Sequence, residues 1–117
     1  MNISEAAAKS DLTPVTLRYY ERIGLIPPIT RKNGGVRDYQ EGDLSWIDFI
    51  KCMRNAGLSI ESLIEYTALF AKGKETAPAR KEILIEEQKK LQQRYDELGS
   101  TLAQLKKKIA HYDEKQG

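Results

Sequence analysis

From Pro78 to Tyr112 the sequence holds no further proline and a single glycine, Gly99, while Leu84, Leu91, Leu98, Leu105 and Tyr112 recur at every seventh position. Gln88, Tyr95, Leu102 and Ile109 recur at the same interval in an offset position. On a helix this repeat becomes one continuous stripe, and Glu, Lys, Arg and Gln occupy the other faces. A helix from Pro78 to about Tyr112 would be roughly 50 Å long, longer than the small domain that precedes it. That domain alone cannot bury the stripe, so a second chain is implied, with Leu84, Leu91, Tyr95, Leu98, Leu102, Leu105 and Ile109 as the contact residues. The competing reading is a solvated helix docked on its own domain; the regularity of the seam favours a homodimer.

The residues before that helix read as short, well-punctuated elements. Asn2 or Ser4 can cap a first helix over Glu5–Ser10, with Ile3, Ala7 and Ala8 on its apolar side. Thr13 followed by Pro14 is a helix start, a hydroxyl cap with proline at the first helical position. This second helix runs to about Ile23, where Gly24 stops it. Two short helices with a tight turn between them form a helix-turn-helix, and the second can enter a major groove. Leu25-Ile26-Pro27-Pro28 then holds the chain extended. Two short extended pieces, Ile29–Lys32 and Val36–Tyr39, flank Asn33-Gly34-Gly35 and predict a hairpin. A third helix over Glu41–Asn55 places Leu44, Trp46, Ile47, Phe49, Ile50 and Met53 on one wide arc. A fourth, capped by Ser59, runs from Ile60 to about Lys72 with Ile60, Leu63, Ile64, Thr67 and Phe70 as its stripe. The expected organisation is a winged helix-turn-helix domain with two supporting helices over 1–72, a linker at 73–77 and the long coiled-coil helix at 78–117. The fold class is mainly α.

The net charge of +2 is too small to argue for nucleic acid. The local pattern argues more strongly: Lys9, Arg18, Arg22, Arg31, Lys32 and Arg37 fall in one stretch with few acids. Phosphate contacts are expected from Arg18, Arg22, Arg31, Lys32 and Arg37, with Thr13, Thr16, Tyr19 and Tyr39 on the same surface. Which of Tyr19 and Tyr20 is buried stays open. The bland alternative for the hairpin is a solvated loop; its basic groups, following a helix that presents Arg and Tyr, favour DNA. A single cysteine, Cys52, excludes an internal disulfide and fits a reducing compartment. With no signal-like segment and no apolar run able to span a bilayer, the chain is expected in the cytoplasm and away from membranes. No carboxylate pair, nucleophile–base set or phosphate loop stands at useful spacing, so no enzymatic activity and no cofactor are expected.

The run LTPVTLRYYERIGLIPP, the hairpin ending in RDY and the following DLSWIDFI resemble the MerR family of transcription regulators. The resemblance covers almost the whole chain. It implies a winged helix-turn-helix, an antiparallel pair of long helices, and binding of double-stranded promoter DNA. It also implies that the active dimer bends and undertwists a promoter so that RNA polymerase can use both of its elements. One position departs from the family pattern: Val36 stands where a tyrosine is usual, so the resemblance does not carry that aromatic contact to the DNA backbone over to this chain.

Family members that sense metals carry cysteines near the two ends of the long helix. This chain has none there, and a metal site needs several ligands. Members that bind drugs carry a further domain, for which the chain leaves no room after the long helix. The stretch FIKCMRNAGLSIESLIEY is similar to the branch of MerR regulators that respond to aldehydes and other thiol-reactive electrophiles through one cysteine, which would make Cys52 the sensor. On physical grounds alone a lone helical cysteine is more often a small packing residue. The end of the helix dipole and Asp48 both disfavour a thiolate there. The helical wheel, however, puts Cys52 at the edge of the apolar arc. Two alternatives stand beside this reading: a non-covalent small-molecule effector, and a coiled-coil adaptor that binds protein.

Overall fold

The computed structural model describes residues 1–116 and side chains through Glu114; Gly117, the last residue of the expected long-helix segment, lies outside them. Five helices follow one another: α1 (Ile3–Ser10), α2 (Pro14–Ile23), α3 (Glu41–Asn55), α4 (Ile60–Ala71) and α5 (Ala77–Gln116). Local chemistry sets most of their ends. The Asn2 side chain accepts the Glu5 N–H at 2.8 Å while the Glu5 carboxylate accepts the Asn2 N–H at 3.1 Å, so two orphan donors of α1 are satisfied reciprocally. Thr13 Oγ1 accepts the Thr16 N–H at 3.1 Å, and Ser59 Oγ accepts the Ser62 N–H at 3.1 Å.

The core gathers Ala6 and Ala7 of α1, Leu17 of α2, Leu25, Ile26 and Ile29 of the strap, Tyr39, Ile47 and Ile50 of α3, and Leu58 and Leu63. The small side chains of α1 let α2 and α3 approach closely. The face that does this is Ala6 and Ala7 with Ser10 about one helical turn on. Ala8, expected on the apolar side, is exposed because the helical period puts it on the far side from the face that Ala6, Ala7 and Ser10 share. The strap is fastened from behind: Thr67 Oγ1 of α4 donates to the Leu25 carbonyl at 3.1 Å. A hydroxyl in the middle of the α4 stripe thus satisfies a carbonyl that the prolines leave without a ladder partner.

The expected hairpin survives as one antiparallel bridge between Arg31 and Arg37, closed by a 3-10 turn over Asn33–Gly35. The Lys32 N–H donates to Val36 O at 2.7 Å and the Asp38 N–H to Thr30 O at 2.8 Å. Gly34 and Gly35 both take φ of +82°, a conformation that a side chain disfavours. No strand forms among the described residues, because the ladder stops at Asp38: the backbone N–H and carbonyl of Tyr39 are both taken by Met1. The Met1 ammonium binds Asp38 Oδ1 at 2.9 Å, and the Tyr39 N–H donates to the Met1 carbonyl at 2.8 Å.

Between α4 and α5 the expected loop is a 3-10 turn over Lys74–Thr76, in which Thr76 Oγ1 donates to Leu69 O at 2.7 Å. The first turns of α5 pack on α4. The helix then leaves the domain, which stretches the protomer to 74 × 34 × 20 Å. No described helix is long and apolar enough to cross a membrane.

Candidate nucleic-acid interface

The outer face of α2 collects Val15, Thr16, Arg18, Tyr19 and Arg22 around a shallow depression of about 350 Å³. Leu17 points inward and is fully buried, so this arrangement follows from the helical period once one residue is fixed in the core. The Arg22 guanidinium lies 5.5 Å from the centre of the Tyr19 ring, a cation–π pair that holds both side chains on the open face. Of the two adjacent tyrosines, Tyr19 is the exposed one. Tyr20 is half-buried against the core, and burial raises its phenol above the ordinary value. Thr13 and Thr16 are joined hydroxyl to hydroxyl at 2.9 Å, so the cap that starts the helix occupies both side chains.

The wing carries Arg31 and Lys32 on its exposed side, and Val36 there presents an aliphatic surface in place of an aromatic one. What sets the wing's position is Glu21, a residue that sequence reasoning did not single out. Its Oε1 accepts from Arg37 Nε at 2.8 Å, its Oε2 accepts the Ile29 N–H at 3.1 Å, and Arg31 Nη2 stands 3.7 Å from Oε2. One carboxylate at the end of α2 therefore grips both sides of the wing. Burial pushes the Glu21 carboxyl up, but the Arg37 and Ile29 hydrogen bonds and the two guanidinium charges outweigh it and leave the group below its ordinary value. A glutamate among arginines in a basic stretch was the signal available in the sequence; its partners lie too far along the chain for spacing to reveal them.

Two of the expected contacts look different in place. Arg37 is partly buried and its Nε is committed to Glu21, so it braces the wing from within. Tyr39, expected on the DNA surface, is a core residue with 1% of its surface exposed. Its backbone is pinned to Met1, which turns the ring under the wing, and its hydroxyl has no hydrogen-bond partner among the described residues. Lys32 remains accessible, 3.7 Å from Asp38. Arg18 is exposed with no ion pair among the described residues.

Cys52 is exposed on α3. Its cationic neighbours turn away from it: Lys51 Nζ donates to the Ser10 carbonyl at 2.9 Å, closing the end of α1, and Arg54 Nη1 donates to the Leu58 carbonyl at 2.9 Å. Beside it on the helix, Phe49 is half-buried against the core with its ring 6.0 Å from Tyr66 of α4. Along α5, the seam is bare in the protomer from Leu91 onward, with Tyr95 72% and Leu98 70% exposed. Leu84 is half-buried beside Met53 and Leu58.

A capped helix with a basic outer face, a wing clamped to its end and a long exposed helix beyond define a helix-turn-helix regulator of DNA. Two family profiles match, the MerR HTH family regulatory protein over residues 1–69 and the MerR DNA-binding region over residues 44–108. The chain belongs to the MerR family of DNA-binding transcription regulators. It is 63% identical over 91 residues to the HTH-type transcriptional regulator AdhR of Bacillus subtilis (strain 168), an overlap of 78% of this chain and 65% of AdhR. The chain thus spans just under two thirds of that relative's length. A crystal structure described as a MerR family transcriptional regulator from Listeria monocytogenes superposes with a TM-score of 0.94 at 50% identity, over 97% of this chain and 86% of that one. HiNmlR, described as a MerR family regulator lacking the sensor domain and bound to promoter DNA, superposes with a TM-score of 0.84 at 27% identity, over 97% and 90% of the two chains.

Proposed function

We propose that two copies of this chain bind a promoter together. The outer face of α2 enters the major groove, and the wing rests on the neighbouring backbone. The observation that carries this reading is the Glu21 clamp, because it turns two separate basic segments into one preorganised surface. Arg18 and Tyr19 reach base edges, while Arg22, Arg31 and Lys32 lie on phosphates; Thr13 and Thr16 sit at the helix start nearest the duplex. The seam of α5, Leu84 to Ile109, holds the copies together, since so large an apolar face is seldom left to solvent. The dimer distorts the promoter for RNA polymerase, a cost in DNA shape offset by backbone contacts. Its inducer is a small reactive aldehyde or related electrophile that modifies the exposed Cys52. The similarity to AdhR and to the promoter-bound HiNmlR supports the reading.

Titration against the chain's own upstream region tests it. Affinity should fall steeply with salt, and Lys32→Ala should lower the slope of log K against log salt by about one. Binding no tighter than to random duplex would end the proposal.

A further inference from the structure

Val15 is the most exposed large apolar side chain before α5, at 71%. It is the second residue of α2, directly after Pro14. Leu17, two positions on, is fully buried, and that fixes Val15 on the open side of the helix. Arg18, Tyr19 and Arg22 follow Val15 at three, four and seven positions, so the four side chains form one stripe along α2. The methyl groups of Val15 pack on no part of the core. A β-branched residue also adds little to a helix, where it loses rotamer freedom. Neither packing nor local stability therefore requires a valine at this position. A lone exposed apolar residue on an ordinary face is common; this one begins the basic stripe of the DNA interface. No carboxylate stands in the first turn of α2 to repel a duplex there.

We propose that Val15 determines part of the sequence specificity by resting its methyl groups on the 5-methyl of a thymine in the major groove. This rests on the placement of α2 proposed above and adds the base that its first turn selects. The N-terminal residues of a recognition helix lie against base edges, and Val15 is in the first turn. Thymine alone among the bases presents a methyl group in the major groove; the other edges there offer donors and acceptors. A donor or acceptor pressed against Val15 would lose its water and gain no partner, so valine disfavours the other bases as well as favouring thymine. Arg18 supplies the polar half of the same readout. It is exposed with no ion pair among the described residues, and a free guanidinium pairs best with the O6 and N7 of guanine. Side chains three apart on a helix lie roughly 5–6 Å apart, and stacked bases about 3.4 Å, so the thymine stands about one or two base pairs from the step that Arg18 contacts. Tyr19 and Arg22 lie further along the stripe and are held to each other by their cation–π contact, so neither takes the place of Val15.

The test titrates the full chain against its own promoter duplex with deoxyuridine placed at one thymine at a time, read by fluorescence anisotropy. Uracil keeps the pairing and the O4 acceptor and removes only the 5-methyl. At one thymine in each half-site the native chain should lose about fourfold in affinity, the worth of one buried methyl. Val15→Ser should bind the thymine duplex more weakly and no longer distinguish uracil at that position. Val36→Ser makes the same change at the exposed valine of the wing, 57% exposed, and should keep the difference. Both side chains stand outside the core, so both variants fold, and any effect of uracil on duplex stiffness acts on every variant alike. A native chain with no methyl-sensitive thymine would overturn the assignment. So would a sensitivity that survives Val15→Ser, or one that Val36→Ser abolishes equally; promoter binding would stand in each case. A native chain that binds its promoter no more tightly than random duplex would remove the placement of α2 itself, and this inference with it.

Discussion

Glu21 receives donors from Ile29 and Arg37 and lies near Arg31, so three points of the wing depend on one side chain. Because its carboxyl is held below the ordinary value, the stability it adds is present in full above the unfolded value, about 4.3. That stability is lost as pH falls through the lower folded value. Glu21→Gln keeps the shape and removes the charge. It should weaken promoter binding by about 1–2 kcal/mol and remove Glu21's share of the acid-side loss of stability, as read by denaturation across pH; Asp38, also held below its ordinary value, keeps the rest. An unchanged pH profile would show that the clamp is not coupled to folding. Tyr39 offers the opposite case. Its hydroxyl is buried without a partner, so Tyr39→Phe should leave stability unchanged or raise it by up to about 1 kcal/mol, with DNA affinity intact. A loss of affinity would return Tyr39 to the interface.

At the scale of elements, α5 divides into a part that belongs to its own domain and a part that does not. Its first turns pack on α4, and Arg94 reaches back to the α3–α4 turn. The turn beneath it needs Gly57, whose φ of +86° disfavours any side chain. Beyond this point nothing in the protomer covers the helix. Leu98 lies in the bare part, so Leu98→Asp should leave the melting of the DNA-binding domain almost unchanged while producing monomers. Those monomers should bind promoter DNA poorly, since each half-site loses its partner. Sedimentation of an intact Leu98→Asp dimer would contradict the seam.

For the whole molecule the question is how a change on α3 reaches the DNA. Ile47 and Ile50 of α3 are core residues beneath the helix-turn-helix, and Met53 of the same helix lines the groove beside α5. Cys52 sits between these two contacts and is open to solvent. On the function proposed above, alkylation there would add bulk next to Phe49, and well-packed cores answer such changes by switching between discrete arrangements. The modification need bias two states that differ by only a few kcal/mol. Cys52→Ser and Cys52→Ala should both bind the promoter with near-native affinity yet fail to activate transcription when an aldehyde is added. A full response by both variants in a reconstituted transcription assay would reduce Cys52 to a surface residue and direct attention to a non-covalent effector.

The order of the helices and most of their limits were legible in the sequence because caps and periodicity are local; α1, expected from Glu5, begins at Ile3 behind the Asn2 cap. Thr13-Pro14 starts α2, Ser59 starts α4, and α3 runs over Glu41–Asn55 as its apolar arc requires. The bare stripe of α5 was legible for the same reason. Where a polar side chain ends up is not local. Tyr39 is buried because its backbone meets Met1, Arg37 braces the wing because Glu21 lies one helix away in space, and Glu87 is buried because the α3–α4 turn folds over it. The two extended pieces read as a hairpin kept a single bridge for a similar cause: Met1, distant in sequence, holds the Tyr39 backbone that would have continued the ladder. A chain pattern fixes which face a residue occupies, and only the packed elements decide what that face meets.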